Sequence, residues 1–114
     1  MPASAITTHI LDTAVGRPAA GVPVEIYREG PGPSTLLGQG VTDEDGRISD
    51  LLAPGPLEKG TFRLVFYVGP YLEAQGRPGF YPEVPVIFQV QEEGEHYHVP
   101  LLLNPFGYST YRGS

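Results

Sequence analysis

The apolar residues of this chain come in short alternating runs, and nearly every run is closed by glycine, proline or aspartate. That pattern argues against long helices and for strands joined by tight turns. With 15 Gly and 13 Pro in 114 residues, breakers are too frequent for most continuous segments to exceed the length of a strand. The alternation predicts strands over Ile6 to Asp12, Val22 to Arg28, Thr35 to Thr42, Arg47 to Asp50, Thr61 to Val68, Val84 to Gln91, His96 to Leu103 and Tyr108 to Arg112. Short antiparallel strands of this kind make an all-β, two-sheet sandwich. One exception is Pro70 to Gly76, which reads as a single short helix with proline at its start and glycine at its end. Ala53 to Gly60 is too rich in Pro and Gly for a ladder strand, and Met1 to Ala5 precede the first strand without a motif.

Length and charge narrow the function classes. A chain of 114 residues fits one domain, residues 1–114. Such a domain buries roughly 65% of its unfolded surface, enough for a core with little to spare. There is no cysteine, so thiolate nucleophiles, thiolate metal sites and disulfides are excluded, and a reducing cytoplasmic setting is expected. No basic segment followed by an apolar run opens the chain, and no stretch approaches the ~18 apolar residues of a membrane span. A soluble, unprocessed protein with no membrane partner is the expectation. The net charge is −6 and the basic residues stand singly, which argues against a phosphate-tracking surface and so against nucleic acid.

Chemistry-bearing residues concentrate at the C-terminal end. Tyr108-Ser109-Thr110-Tyr111-Arg112-Gly113-Ser114 carries two tyrosines and an arginine, where a frayed tail would carry small polar residues. Just before it, alternation puts His96 and His98 on one strand face and Tyr97 and Val99 on the other. The remaining histidine, His9, sits in the first strand-like run. Phosphate-binding glycine loops, serine elbows and His-Glu-x-x-His helices are all missing, which leaves imidazoles and an arginine as the reactive groups. Such a set can activate water and stabilise an oxyanion. A His-x-His strand is also the pattern of a plain solvated face. With His9 as a third ligand it is next the pattern of an open zinc site able to generate hydroxide, which spacing alone does not exclude. Arg47 follows the Asp45-Gly46 turn signal and reads by itself as an ordinary solvated strand-start residue. Pro100 cannot donate to a ladder, so its strand is expected at an edge or with a bulge.

Taken together, His98-Val99-Pro100 and the closing Tyr111-Arg112-Gly113-Ser114 resemble the 5-hydroxyisourate hydrolases, the transthyretin-related enzymes of purine catabolism. Thr8-His9-Ile10-Leu11-Asp12-Thr13 with Gly16 and Pro18-Ala19, the turn Thr42 to Arg47, and Phe80-Tyr81-Pro82-Glu83-Val84 also match, so the likeness runs from about Ile6 to Ser114. Asn104 departs from the usual serine, but it opens a turn before Pro105.

The resemblance implies a prealbumin-like sandwich of about eight strands with one short helix, in which the Pro100 strand lies between the N-terminal and C-terminal strands. It implies hydrolysis of 5-hydroxyisourate to 2-oxo-4-hydroxy-4-carboxy-5-ureidoimidazoline, with no metal or other cofactor, in a cytoplasmic homotetramer whose edges are covered by partner subunits. His9, Arg47, His98 and Ser114 are the implied catalytic residues. His9, Arg47, Tyr111, Arg112, Gly113 and Ser114 are the implied substrate contacts, with Arg47 gripping the planar oxo-purine ring through its fork of donors. His96 is read as a neighbour that helps position, and Tyr108 as a packing residue. Arg112 alone reads as a partner for an acidic neighbour, Gly113 as a point of close backbone approach, and Ser114 as a source of a hydroxyl and a terminal carboxylate. The alternative is a transthyretin-like small-molecule carrier, since one fold serves several functions. In the family pattern the carrier lacks the counterparts of His9, Arg47 and His98 and the Tyr-Arg-Gly-Ser ending.

Overall fold

The alternation seen in the sequence becomes two facing sheets. The computed structural model describes residues 4–114, so Met1 to Ala3 lie outside the described residues. The strands are β1 (Ile6–Asp12), β2 (Arg17–Pro18), β3 (Pro23–Glu29), β4 (Thr35–Val41), β5 (Arg47–Ile48), β6 (Gly60–Phe66), β7 (Val84–Val90), β8 (Tyr97–Asn104) and β9 (Gly107–Thr110). A single helix, α1 (Gly69–Glu73), lies between β6 and β7 and has Pro70 in its first turn. All eight expected strands and the helix are present, with no end displaced by more than three residues. The addition is β2, whose two residues are too few to show any period.

One sheet runs β2-β1-β8-β9, with β5 sharing the outer side of β1 with β2, and the other runs β4-β3-β6-β7. Strand β1 alternates strictly, with Ile6, Thr8, Ile10 and Asp12 buried and Thr7, His9 and Leu11 half-buried on the outer face. Between the sheets lie Ile6, Ile10, Val24, Ile26, Phe62, Leu64, Phe66, Leu101 and Leu103, all essentially without solvent contact. Each such side chain contributes about 1.5–3 kcal/mol by leaving water.

One expectation needs correction. An antiparallel domain was expected, yet β1 and β8 pair in parallel over their whole length, from Ile6 opposite Tyr97 to Asp12 opposite Leu103. Alternation encodes which face a residue occupies, not the direction of a partner far along the chain, so the direction was not legible. Strand β8 is central, as the resemblance implies and not at an edge as Pro100 alone suggests, and its register with β1 has no bulge. The cost of the missing N–H falls on the other side. The ladder to β9 runs from Asn104 opposite Gly107 to Leu101 opposite Thr110, lapses beside Pro100, and returns only as the single bridge of His98 with Gly113. Tyr111 and Arg112 therefore leave the sheet, and Thr110 Oγ1 donates to the Pro100 carbonyl at 2.8 Å.

The far end of β1 is fastened by a buried charge. Asp12 is fully buried and accepts from Tyr71 Oη at 2.8 Å, from the Ala14 amide at 3.1 Å and from the Arg77 guanidinium, with which it forms an ion pair. Burial works to raise its pKa, but the donors from Arg77 and Tyr71 outweigh it and hold the carboxyl below its ordinary value. The start of β8 is held by Tyr97, whose hydroxyl accepts from the Gln91 and Glu92 amides at 3.1 and 3.0 Å.

Candidate active site

The parallel pairing of β1 with β8 sets Thr7 opposite His98 and His9 opposite Pro100, so the half-buried outer residues of the two strands form one surface. Strand β5 then sets Arg47 opposite His9. The turn before β5 explains why. Asp43 Oδ1 accepts the amides of Asp45 and Arg47, both at 2.9 Å, while Gly46 sits at φ +73 and its carbonyl accepts from the Ile10 amide at 2.8 Å. A Cβ on Gly46 would lie 2.5 Å from the Ile10 carbonyl oxygen. Only glycine satisfies both the left-handed backbone and that approach.

A depression of about 220 Å³ opens on this surface, lined by Thr7, Thr8, Arg47, Ile48, Ser49, His96, His98 and Ser114. Three of its walls are predicted site residues: Arg47, His98 and Ser114. His9 adjoins Arg47 through the β1–β5 register. Gly113 closes the side next to His98. Its amide donates to the His98 carbonyl at 2.7 Å, and a Cβ there would lie 2.6 Å from His98 Cδ2. The expected close backbone approach is thus an approach to the imidazole itself.

The electrostatics favour neutral imidazoles. Burial, then the Arg47 guanidinium, hold the His9 pKa below the ordinary 6.5, against a smaller opposing pull from Asp45 and Asp43. Burial, Arg47, His9 and His96 likewise depress that of His98. Neutral histidines beside a cation are suited to taking a proton from water and leaving the cation to meet developing negative charge. Among the described residues no group of three or more His, Cys, Asp or Glu is arranged to hold a metal ion.

Tyr111 and Arg112 lie elsewhere in the single chain. They line a hollow of about 400 Å³ beside β7, together with Tyr97, Val99 and Thr110. The Arg112 guanidinium sits 4.3 Å from the centre of the Tyr97 ring and pairs with Glu95 at 3.3 Å. Tyr108 packs edge-on against Tyr81, 5.2 Å between centroids, at the surface rather than in the core. Asn104 does turn the chain, its Oδ1 accepting the Phe106 amide at 3.0 Å.

Thr7 carried no sequence signal beyond sharing a face with His9. Its Oγ1 lies 2.9 Å from His98 Nδ1 and 2.9 Å from His96 Nε2. Nothing in the sequence brings residue 7 to residue 98; the β1–β8 ladder does.

Comparison with known proteins places this geometry in context. The sequence pattern described as the HIUase/Transthyretin family matches residues 6–113. The chain belongs to the HIUase/Transthyretin family. Within it, the chain is 48% identical over 116 residues to a 5-hydroxyisourate hydrolase of Halalkalibacterium halodurans, covering 96% of this chain and 97% of that one. Among solved structures, the 5-hydroxyisourate hydrolase of Klebsiella pneumoniae superposes with a TM-score of 0.85 at 38% identity, covering 100% of both chains. Sea bream transthyretin in complex with thyroxine superposes with a TM-score of 0.87 at 32% identity, covering 96% of this chain and 95% of the other. Overall shape therefore fits hydrolase and carrier about equally, and the site must separate them.

Proposed function

We propose that this family member is a hydrolase that opens the six-membered ring of 5-hydroxyisourate, giving 2-oxo-4-hydroxy-4-carboxy-5-ureidoimidazoline. The observation that carries the reading is the grouping of His9, Arg47 and His98 on one outer sheet face, with both imidazoles held neutral and a cation beside them. A hormone carrier has no use for that arrangement. The identity of about 45–48% with relatives named 5-hydroxyisourate hydrolase supports it further.

In this reading an imidazole of the His9/His98 pair takes a proton from water as the water oxygen bonds to the ring carbonyl carbon. Arg47 stabilises the oxyanion by charge-assisted hydrogen bonds. The amide C–N bond then breaks and the released nitrogen takes a proton, so one water is consumed and a carboxylate forms. Ser114 and Gly113 complete the wall of the depression. Tyr111 and Arg112 reach substrate in a homotetramer, in which neighbouring subunits cover the exposed edges; the cytoplasm is the setting that a cysteine-free chain suits.

His98→Ala and Arg47→Ala test the assignment. Each is expected to lower the rate by about 10²- to 10⁴-fold, the range for acid–base and oxyanion groups, with an unchanged circular dichroism spectrum. Dialysis against a strong chelator is expected to leave the wild-type rate intact. A chelation loss restored by zinc would transfer water activation to a metal.

A further inference from the structure

The ring-opening reading leaves two polar groups at the site without a task, Thr7 and His96. The Thr7 hydroxyl bridges the two imidazoles, with 2.9 Å to each, and the rings stack with centroids 6.5 Å apart and planes 19° apart. A hydroxyl donates one proton and accepts through its lone pairs, whereas a neutral imidazole has one N–H and one bare nitrogen. Two arrangements use the hydroxyl as donor and acceptor at once. In the first, His98 Nδ1–H donates to Thr7 and Thr7 donates to His96 Nε2. In the second, both bonds reverse, and His98 must carry its proton on Nε2. If both imidazoles donated to Thr7, the hydroxyl proton would find no acceptor among the described residues.

The surroundings of His98 favour the first arrangement. Nδ1 is occupied by Thr7, and Cδ2 lies against Gly113, so Nε2 is the ring's remaining polar atom. Arg47 lines the same depression, and a nearby cation favours a bare lone pair over an N–H dipole pointing towards it. We propose that Thr7 is a positioning residue that fixes His98 as the Nδ1–H tautomer, leaving the Nε2 lone pair as the base, and that His96 is the outer end of a proton relay.

The inference rests on the hydrolase reading for its catalytic part, while the tautomer stands on geometry alone. As hydroxide oxygen bonds to the substrate carbonyl carbon, the water proton goes to His98 Nε2. The Nδ1 proton passes to Thr7 Oγ1, and the hydroxyl proton passes to His96 Nε2. His96 is then the cation, and because its side chain is exposed it returns the proton to solvent. The relay spares the site a second positive charge on His98 next to Arg47.

Nitrogen-15 spectra of histidine-labelled protein at neutral pH test the tautomer directly, and steady-state kinetics on 5-hydroxyisourate test its use. In the wild type, His98 Nδ1 should be protonated and Nε2 bare. Thr7→Val, close in shape and lacking the hydroxyl, should erase that preference and lower kcat by about 10- to 100-fold with little change in KM, a part of the usual acid–base effect. Thr7→Ser should restore both the spectrum and most of kcat, which a purely structural role for the threonine methyl would not allow. His96→Phe should lower kcat with His98 still in place. A wild-type His98 bearing its proton on Nε2, or a Thr7→Val protein with unaltered spectrum and kcat, overturns the proposal. A wild type that carries the Nδ1–H tautomer but fails to hydrolyse the substrate supports the tautomer assignment and removes the hydrolase reading instead.

Discussion

His98 is the residue on which the site turns, because it touches Thr7, Gly113 and the Arg47 field at once. Gly113→Ala would drive a methyl to 2.6 Å from its Cδ2 and 3.2 Å from Pro100 Cγ, so the ring must rotate away from its present place. Activity should fall by about 10- to 100-fold, a loss of the size that small misplacements of a reacting group produce. Because Gly113 sits beyond the last strand, the melting temperature should change little; a fully active Gly113→Ala protein would separate the imidazole from the reaction. The depressed pKa values of His9 and His98 set the sign of the pH dependence. Both are neutral over a wider range than a free imidazole, so the acid limb of kcat/KM should fall below the ordinary 6.5. The same shift acts on stability. The unfolded chain binds these protons first, so the stability tied to the neutral imidazoles is complete above 6.5 and is lost as pH falls through the lowered folded values. An acid limb above 6.5 would contradict the arrangement. At this scale the sequence was informative about His9, His98 and Arg47 but silent about Thr7, whose importance comes from a partner residue 91 positions away.

The elements that carry these residues are held by turns and by parallel pairing, and the turn is the more exposed to test. Gly46→Ala places a side chain at φ +73 and a Cβ against the Ile10 carbonyl. It should cost about 1–3 kcal/mol by backbone strain alone, seen as a lower denaturation midpoint. The rate should fall as well, since the turn aims Arg47 across from His9. A rate loss without a stability loss would mean that the strain had been relieved by moving β5. The turn was legible because Asp45-Gly46 has a local chemistry. The parallel β1–β8 ladder and the two-residue β2 were not legible, since nonlocal pairing leaves no mark on a period-two pattern. Pro100 shows the same limit. The missing N–H is plain in the sequence, but which neighbour loses the bond depends on strand order, and the gap opens towards β9. Similarly, the buried Asp12 is clustered with the partly buried Tyr71 and Arg77 from a distant segment, invisible to spacing.

For the whole molecule, a two-sheet sandwich of short strands follows from alternation and breakers together, and that much was written in the chain. That Tyr111 and Arg112 face the hollow beside β7 was not, because it depends on where the chain leaves the sheet after Thr110. The shared shape with a thyroxine-bound transthyretin makes fold an indecisive witness to function. Chemistry decides. The direct measurement is the ultraviolet decay of 5-hydroxyisourate, freshly made from urate by a urate oxidase, with and without the purified protein. The outer-face cluster of His9, Arg47 and His98 predicts decay much faster than spontaneous hydrolysis, at catalytic protein concentrations. Decay indistinguishable from the protein-free control, joined with tight thyroxine binding, would contradict it and make the protein a carrier.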